Sequence, residues 1–202
     1  PVIPSGEAAD RPQNPGVTSR HQREGRQPAR ASKRRGPARD MMQGMRSLVV
    51  GGTGPTGHHI VTGLHRRGHD VAILHTGRHE VPETPSDVEH IHTNPYDPDA
   101  FREAIGERRF DICIAMYGRL RAIAQCMVDR CEHFLSVGGV PAYLGYMNPK
   151  LRDPAGLPVP TSEEATLVDE PAQDEKGYRI VRTERAVFDH HPSATHFRYP
   201  YV

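Results

Sequence analysis

The sequence has no apolar run that approaches the length of a membrane-spanning helix, and no signal-peptide pattern is visible. It is also poor in cysteine. Its three cysteines, Cys113, Cys126 and Cys131, lie in or beside apolar runs and lack the spacing of metal ligands. These absences argue against a membrane protein, a disulfide-bonded scaffold and a zinc finger. We therefore expect a cytoplasmic protein with reduced thiols.

Large apolar side chains are almost absent from the first 45 residues, which are rich in Arg, Pro, Gly, Ser and Gln. Such a segment cannot bury enough apolar surface to offset the entropy lost on ordering it. Residues 1–46 carry ten Lys and Arg against four Asp and Glu, whereas the remainder is acidic. We therefore predict a disordered basic tail over residues 1–45 and a folded domain over residues 46–202.

The basic tail could bind nucleic acid or an anionic surface. Its densest stretch, residues 30–39, has no interleaved aromatic residue to stack on bases. We favour a solvated leader, or sequence upstream of a start at Met41, Met42 or Met45. The first residue is Pro and not Met, which suggests a fragment. A nucleic-acid-associated protein remains the less favoured alternative.

Histidine is abundant, with thirteen residues that include the pairs His58–His59 and His190–His191 and the pattern His90-x-His92. No cysteine or carboxylate accompanies them at the spacing of a zinc site. We therefore predict surface histidines and no metal site.

A short β-branched run over residues 47–50 leads into a turn with Gly51, Gly54 and Gly57, after which apolar residues recur at helical spacing. Strand, glycine turn and helix in this order are typical of a dinucleotide-binding unit. The first glycine permits a tight turn, the second lets backbone N–H groups approach a pyrophosphate, and the third lets the helix pack closely. The anion would rest at the positive end of that helix, beside Pro55 and Thr56.

Further elements alternate along the chain. Strands are predicted at residues 70–75, 88–92, 110–116, 133–137 and 195–199, helices at 97–105, 120–131 and 176–190, and a long loop at 138–174. Near-continuous apolar strands that alternate with helices indicate a parallel sheet covered on both faces. With right-handed crossovers, the simplest fold class is α/β, a doubly wound Rossmann sheet.

With these elements in place, the chain resembles the NAD-dependent epimerase/dehydratase family, the extended or atypical branch of the short-chain dehydrogenases/reductases, from about residue 46 onward. The family's G-x-x-G-x-x-G turn matches the three glycines. Its "GD-x-x-D" corresponds to Thr93-Asn-Pro-Tyr-Asp97, and its "lR-x-x-vYGP" strand to Arg198-Tyr-Pro-Tyr-Val202. The resemblance implies the amino-terminal, NAD(P)-binding part of such an enzyme, with Asn94 accepting a hydrogen bond from the adenine amino group.

The resemblance also implies a catalytic triad of Ser or Thr, Tyr and Lys, and here the sequence departs from the family. In one register Tyr178-x-x-x-Arg182 replaces Tyr-x-x-x-Lys, so an arginine that cannot lose a proton replaces the lysine. In the other register, set by Glu184-x-x-Val187, Lys176 and Ile180 stand at the two positions. The paired serines become Ser136-Val137. The candidate catalytic residues are therefore Tyr178, Arg182 and Ser136, with the register open.

Cofactor choice depends on the end of the second strand, where NAD-specific members place an acid against the ribose 2′-OH. Here that position is His75, and Arg78 follows shortly after it. An arginine can meet a 2′-phosphate with two hydrogen bonds, so NADP is modestly favoured over NAD. A loop-surface role for Arg78 is the alternative.

The leading interpretation is an oxidoreductase or epimerase that acts on a hydroxyl or carbonyl carbon of a nucleotide-sugar or similar small molecule. A dinucleotide-binding redox sensor or scaffold without catalysis is the second. A small-molecule substrate is the expected partner, a homodimer is left open, and neither a membrane nor nucleic acid is favoured.

Overall fold

The computed structural model describes residues 44–116 and 118–200. The predicted basic tail lies outside the described residues, except for Gly44 and Met45. Six strands and four helices follow one another along the described chain: β1 (Arg46–Val50), α1 (Gly57–His65), β2 (Asp70–His75), β3 (Glu89–His92), α2 (Pro98–Ile105), β4 (Phe110–Met116), α3 (Leu120–Cys126), β5 (Cys131–Gly139), α4 (Glu175–His190) and β6 (Thr195–Tyr199). None of these helices combines the length and apolar character needed to cross a membrane.

The six strands form one parallel sheet in the order β3-β2-β1-β4-β5-β6. The predicted doubly wound Rossmann fold is therefore confirmed. Because the strands are parallel and in register, their carboxyl ends meet at one edge: Val50 lies beside both Leu74 and Ala115. We call this side of the sheet the carboxyl edge.

Apolar side chains are buried on both faces of the sheet. One face packs Leu48 and Val50 against Phe101 of α2 and Ile123 of α3. The other face packs Val49, Val71 and Ile73 against the single helix α1. This double burial explains why the strands have nearly continuous apolar runs and no alternation.

Helix boundaries follow local chemistry. At α2 the carboxylate of Asp97 accepts hydrogen bonds from the backbone N–H groups of Asp99 and Ala100, and Pro98 occupies the first turn. Proline lacks an N–H group, but this costs no hydrogen bond at Pro98, because the N–H groups of the first turn have no acceptor within the helix. At α4 the carboxylate of Asp174 accepts from the N–H of Gly177 at 3.0 Å.

Two predicted elements need correction. The helix predicted over residues 120–131 ends at Cys126, because the chain turns through Asp129, whose φ is +59°, to enter β5 at Cys131. The loop predicted over residues 138–174 begins later than expected, since β5 runs on to Gly139. That loop also contains the two short 3₁₀ turns Val140–Ala142 and Pro149–Leu151 and a bridge between Tyr143 and Leu167.

Candidate functional site

The carboxyl edge is where a ligand would bind in this fold, at the point where the strand order reverses between β1 and β4. The glycine turn leaves β1 at that point. Gly51 has a φ of +81°, and its N–H donates to the carbonyl of Leu74 at 2.9 Å. The turn continues with the N–H of Gly54, which donates to the carbonyl of Gly51 at 3.3 Å.

The three glycines are constrained in different ways. A Cβ at Gly57 would lie 2.6 Å from the carbonyl carbon of Gly52, so the start of α1 packs directly on the turn. A Cβ at Gly54 would meet only the carbonyl oxygen of Gly51, at 3.7 Å. The outer side of Gly54 is therefore open space, whereas the inner side of Gly57 is filled by the turn itself.

The amino end of α1 fits an anion. Thr56 is the N-cap residue but makes no side-chain capping hydrogen bond, and the first turn contains no acidic residue. The positive end of the helix dipole is thus not neutralised by a side chain of its own first turn. Pro55 and Thr56 are both exposed. An open glycine side and an uncapped helix start match the requirements of a pyrophosphate.

At the carboxyl end of β2 the chain carries a histidine and not the acid that contacts the ribose in many NAD sites. His75 is buried at the end of β2, and the N–H of Gly77 donates to its Nδ1 at 3.3 Å. Burial lowers the pKa of His75 and favours the neutral imidazole. Arg78 follows in an exposed turn.

Asn94 follows β3 at the same edge and is exposed. Its side-chain oxygen accepts a hydrogen bond from the N–H of Tyr96 at 3.0 Å, so one lone pair is used within the turn. The Tyr96 ring lies beside Gly118, and the Arg119 guanidinium is 5.8 Å from the ring centroid. Asn94 therefore lies at the edge of a surface formed by the loops that follow β3 and β4.

A cleft of about 780 Å³ opens where β4, β5 and β6 end. It is bounded by Gly138 and Gly139 of β5, by His196 of β6, and by one face of α4. That helical face presents Lys176 and Ile180, which are four residues apart. These are the two positions that the Glu184-x-x-Val187 register assigns to the family's Tyr and Lys.

Tyr178 and Arg182 lie elsewhere on α4. The Tyr178 ring packs against the small apolar cluster built around Ala142, Val168 and Val181. The guanidinium of Arg182 is 5.8 Å from the centroid of that ring. The structure thus brings these two residues together, but they do not line the cleft.

Ser136 is completely buried within β5. Its hydroxyl lies 2.7 Å from Nδ1 of His196, its direct neighbour on β6. The other ring nitrogen of His196 is 3.6 Å from the carboxylate of Glu184. Burial lowers the pKa of His196. Ser136 is therefore part of a buried polar row inside the sheet, apart from Tyr178 and Arg182.

The carboxyl edge also carries a cluster of side chains that the sequence spacing did not predict. Nitrogen atoms of His75, His90 and His92 and a carboxylate oxygen of Glu80 all lie within 4.8 Å of one another. The signal available in the sequence was the pair His90-x-His92, which a strand places on one face. The partners from β2 and its following turn become visible only in the folded sheet.

Known proteins share this fold. The structure superimposes on a putative epimerase from Burkholderia cenocepacia with a TM-score of 0.58 and 16% identity, over 80% of this chain and 56% of that one. The UDP-glucose 4-epimerase of Thermotoga maritima, solved with UDP-glucose, superimposes with a TM-score of 0.61 and 15% identity, over 77% of this chain and 55% of that one. The Bordetella bronchiseptica enzyme WbmG, solved with NAD, superimposes with a TM-score of 0.58 and 13% identity, over 77% of this chain and 53% of that one.

The chain therefore spans a little over half the length of these structures. No curated protein sequence is significantly similar to it. The model of the NAD dependent epimerase/dehydratase family matches residues 47–135, a range that runs from β1 into β5. The resemblance predicted from the glycine turn is thus confirmed, and over residues 47–135 it is a resemblance to the NAD dependent epimerase/dehydratase family.

Proposed function

We propose that this chain is the dinucleotide-binding domain of an NAD(P)-dependent epimerase/dehydratase-like oxidoreductase. Its substrate would be a nucleotide-sugar or similar small molecule, changed at a hydroxyl or carbonyl carbon. The observation that carries the proposal is the glycine turn between β1 and α1, with an open side at Gly54 and an uncapped helix start at Thr56.

Two of the structurally similar proteins support the choice of ligand. WbmG has been solved with NAD and also with NAD and UDP, and the Thermotoga maritima epimerase with UDP-glucose. Those ligands belong to those proteins. They support a dinucleotide and a nucleotide-sugar for this chain because those proteins share its fold.

Different residues of the chain would contact different parts of the dinucleotide. Backbone groups from Gly51 to Gly57, including Pro55 and Thr56, would hold the pyrophosphate at the start of α1. His75 and Arg78 would face the adenosine ribose, and Asn94 would face the adenine. A nicotinamide supplies reversible hydride transfer when it is bound. The cleft lined by Gly138, Lys176 and Ile180 would then hold the reacting part of the substrate.

Arg78 supports NADP as the dinucleotide. The position that would carry a ribose-binding carboxylate is His75, whose burial favours the neutral ring. An exposed guanidinium three residues later can reach a 2′-phosphate as a bidentate donor.

The cleft favours a second candidate, a dinucleotide-binding protein that has lost catalysis. Lys176 and Ile180 line the cleft where the family's Tyr and Lys would stand, and Ser136 is engaged with His196 inside the sheet. Tyr199 is the one phenol among the described residues that line the cleft, and it comes from β6 and not from α4. The α4 position at which the family's Tyr would exchange the substrate proton carries Lys176 instead. Such a protein would sense or store the dinucleotide.

Calorimetric titration of the full chain with NADPH and NADH tests the binding site. In a Gly54→Val variant the new side chain would enter the open side of the turn, where the pyrophosphate would lie. We expect the affinity to fall by about tenfold or more, a loss of about 1.4 kcal/mol. Gly54 is the informative position because its Cβ meets no close neighbour in the fold, whereas a Cβ at Gly57 would clash with Gly52.

Gly63→Ala is the matched control. Gly63 lies on the same helix, nearer its other end, and a Cβ there meets only the flexible end of Arg67 at 3.4 Å. This variant should bind both dinucleotides as the unmodified chain does. Equal affinities of the Gly54→Val variant and the unmodified chain would show that the dinucleotide does not bind at the glycine turn.

A further inference from the structure

Three histidines and one glutamate converge at the outer end of the carboxyl edge. His75 ends β2, His90 and His92 lie on β3, and Glu80 turns back toward them from the segment after β2. We call these four residues the His–Glu cluster. His75 is buried, His90 is partly buried, and His92 and Glu80 are exposed, so the cluster has one side open to solvent.

The strand register explains why the three imidazoles meet. His92 pairs directly with His75, and His90 pairs with Ile73, two residues earlier on β2. Alternate residues of a strand share a face, so all three rings lie on the same side of the sheet as Ile73. That face is the one covered by α1. The histidine pattern on β3 is thus completed by a residue of the neighbouring strand.

The donor atoms of the His–Glu cluster lie close enough together to surround one metal ion. Nε2 of His75 is 3.0 Å from Nδ1 of His90. Oε1 of Glu80 lies 3.2 Å from His92 Nε2 and 3.8 Å from His75 Nε2, and the other oxygen, Oε2, lies 3.1 Å from His90 Nδ1. One donor atom from each of the four residues lies within 4.8 Å of the other three. Four ligands at the usual zinc bond length of about 2.0–2.1 Å stand about 3.3 Å apart.

Ring orientation points to the same conclusion. The planes of the three imidazoles are tilted from one another by 69°, 82° and 76°, and the ring centroids are 5.1, 4.8 and 6.0 Å apart. None of the pairs is stacked face to face. The absence of stacking leaves room between the rings, and one nitrogen of each ring lies within 4.8 Å of those of the other two.

We propose that His75, Glu80, His90 and His92 form a binding site for one divalent transition-metal ion of the zinc type. Three imidazole nitrogens and one carboxylate oxygen in a tetrahedral arrangement are a donor set that suits zinc and cobalt. The same set is a poor match for magnesium, which prefers six oxygen ligands. The sequence-based expectation of no metal site is replaced by this proposal.

Metal binding has a definite consequence at Gly77. A neutral imidazole coordinated through Nε2 carries its proton on Nδ1, so His75 can no longer accept the hydrogen bond from the Gly77 N–H. The Gly77 N–H, in an exposed segment where this residue has a φ of +72°, would then lose that partner. Arg78 and Glu80 lie in the same turn, so the ion would fix the segment that borders the ribose end of the proposed dinucleotide site.

Cobalt(II) added to the full chain in the absence of dinucleotide tests the site by itself. Four-coordinate cobalt gives intense visible absorption bands that octahedral cobalt lacks, so the spectrum reports both binding and geometry. We expect one equivalent to bind with a four-coordinate spectrum, and zinc to displace it. Because no dinucleotide is present, this result is independent of the proposed function.

Substitutions at the two exposed members test the assignment without disturbing the core. The side chains of His92 and Glu80 are 55% and 51% exposed. His92→Ala should weaken cobalt binding by more than about 100-fold, because loss of even an outer-shell partner of a metal ligand costs about 10–100-fold. Glu80→Gln should weaken it clearly. His79→Ala is the matched control, since His79 is an exposed histidine in the same turn, and it should leave the titration unchanged.

Three results would overturn the proposal: an octahedral spectrum, binding of several equivalents that His92→Ala leaves unchanged, or no binding to the folded chain. Circular dichroism of each variant shows whether it is folded. The amide resonance of Gly77 provides a second readout, since it should shift on addition of zinc in the unmodified chain and stay in place in the His92→Ala variant.

Discussion

The carboxylate of Glu184 accepts two hydrogen bonds from the guanidinium of Arg198, at 2.9 Å from Nε and 2.5 Å from Nη2. This pair joins α4 to β6, and Arg198 also donates to the hydroxyl of Tyr143 at 2.8 Å. Glu184 is buried. Planar, bidentate pairing of this kind fixes the helix against the sheet at one wall of the cleft.

Arg198→Ala should therefore destabilise the domain strongly. It leaves the buried carboxylate of Glu184 without a partner, a change that typically costs about 3–5 kcal/mol. Chemical denaturation measures the loss. Arg179→Ala removes a pair of the same charges on the same helix, but that pair with Glu175 is exposed, so it should cost about 0.5 kcal/mol or less. Similar losses for both variants would contradict the role given to the buried pair.

Stability should decrease as the pH falls below the ordinary histidine pKa of 6.5. Burial lowers the pKa of His69, His191 and His196, so the folded state binds fewer protons than the unfolded chain in that range. The unfolding free energy then rises with pH, by up to about 1.4 kcal/mol per pH unit for each imidazole, and levels off above 6.5. Denaturation curves between about pH 5.5 and 7.5 measure this slope.

Two variants identify the source of the slope. His69→Gln should make the slope shallower, since burial lowers the pKa of this ring in the folded chain and the substitution removes its contribution. His79→Gln, at an exposed position, should leave it unchanged. A stability that is independent of pH across this range would contradict the burial argument.

Arg78 is expected to select the dinucleotide. Arg78→Ala should weaken NADPH binding by about 1.5–3 kcal/mol, the usual value of a charged hydrogen bond, and leave NADH binding nearly unchanged. Arg109→Ala removes the same charge from the opposite edge of the sheet, just before β4. It should alter neither affinity. An NADPH-to-NADH affinity ratio that Arg78→Ala does not change would remove this residue from the site.

Restoring a lysine at position 182 should not produce turnover. Arg182 packs on the Tyr178 ring outside the cleft, so Arg182→Lys places an amine where no substrate would bind. Loss of a positioned acid or base costs a factor of about 10²–10⁴ in rate. Conversion of UDP-glucose by the unmodified chain and by Arg182→Lys should stay at background.

Lys176→Tyr combined with Ile180→Lys is the matched comparison. This double variant places the Tyr-x-x-x-Lys pattern on the face of α4 that lines the cleft. Any gain in turnover should appear in this variant alone. Turnover by the unmodified chain that is lost in Tyr178→Phe would show that this account of the cleft is wrong.

Local patterns predicted most of the fold. The alternation of strands and helices follows from hydrophobic periodicity along the chain. The cap at Asp97 and the hydrogen bond from Gly54 to Gly51 join residues that are near neighbours in the sequence. The end of α3 could not be predicted in the same way, because apolar residues continue through Met127 and Val128. Met127 is completely buried where the chain already turns toward β5, so tertiary packing decided that boundary.

The candidate site was less predictable than the fold. Tyr178 and Lys176 are two positions apart on one helix, and the sequence motifs fit either register. Only the packing of α4 against the sheet shows that Lys176 faces the cleft. The His–Glu cluster was missed for a different reason. His75 and His90 are fifteen positions apart and meet only through the pairing of β2 with β3.

The glycine turn between β1 and α1 is the part of the chain that we expect to bind the dinucleotide pyrophosphate. Backbone amide resonances of the isotope-labelled full chain, followed during addition of NADP⁺, test this expectation most directly because each amide reports its own surroundings. We expect the largest shifts at Gly54, Thr56 and Gly57, with a smaller shift at Gly77. Saturation of the chain with NADP⁺ while these amides stay in place would contradict it.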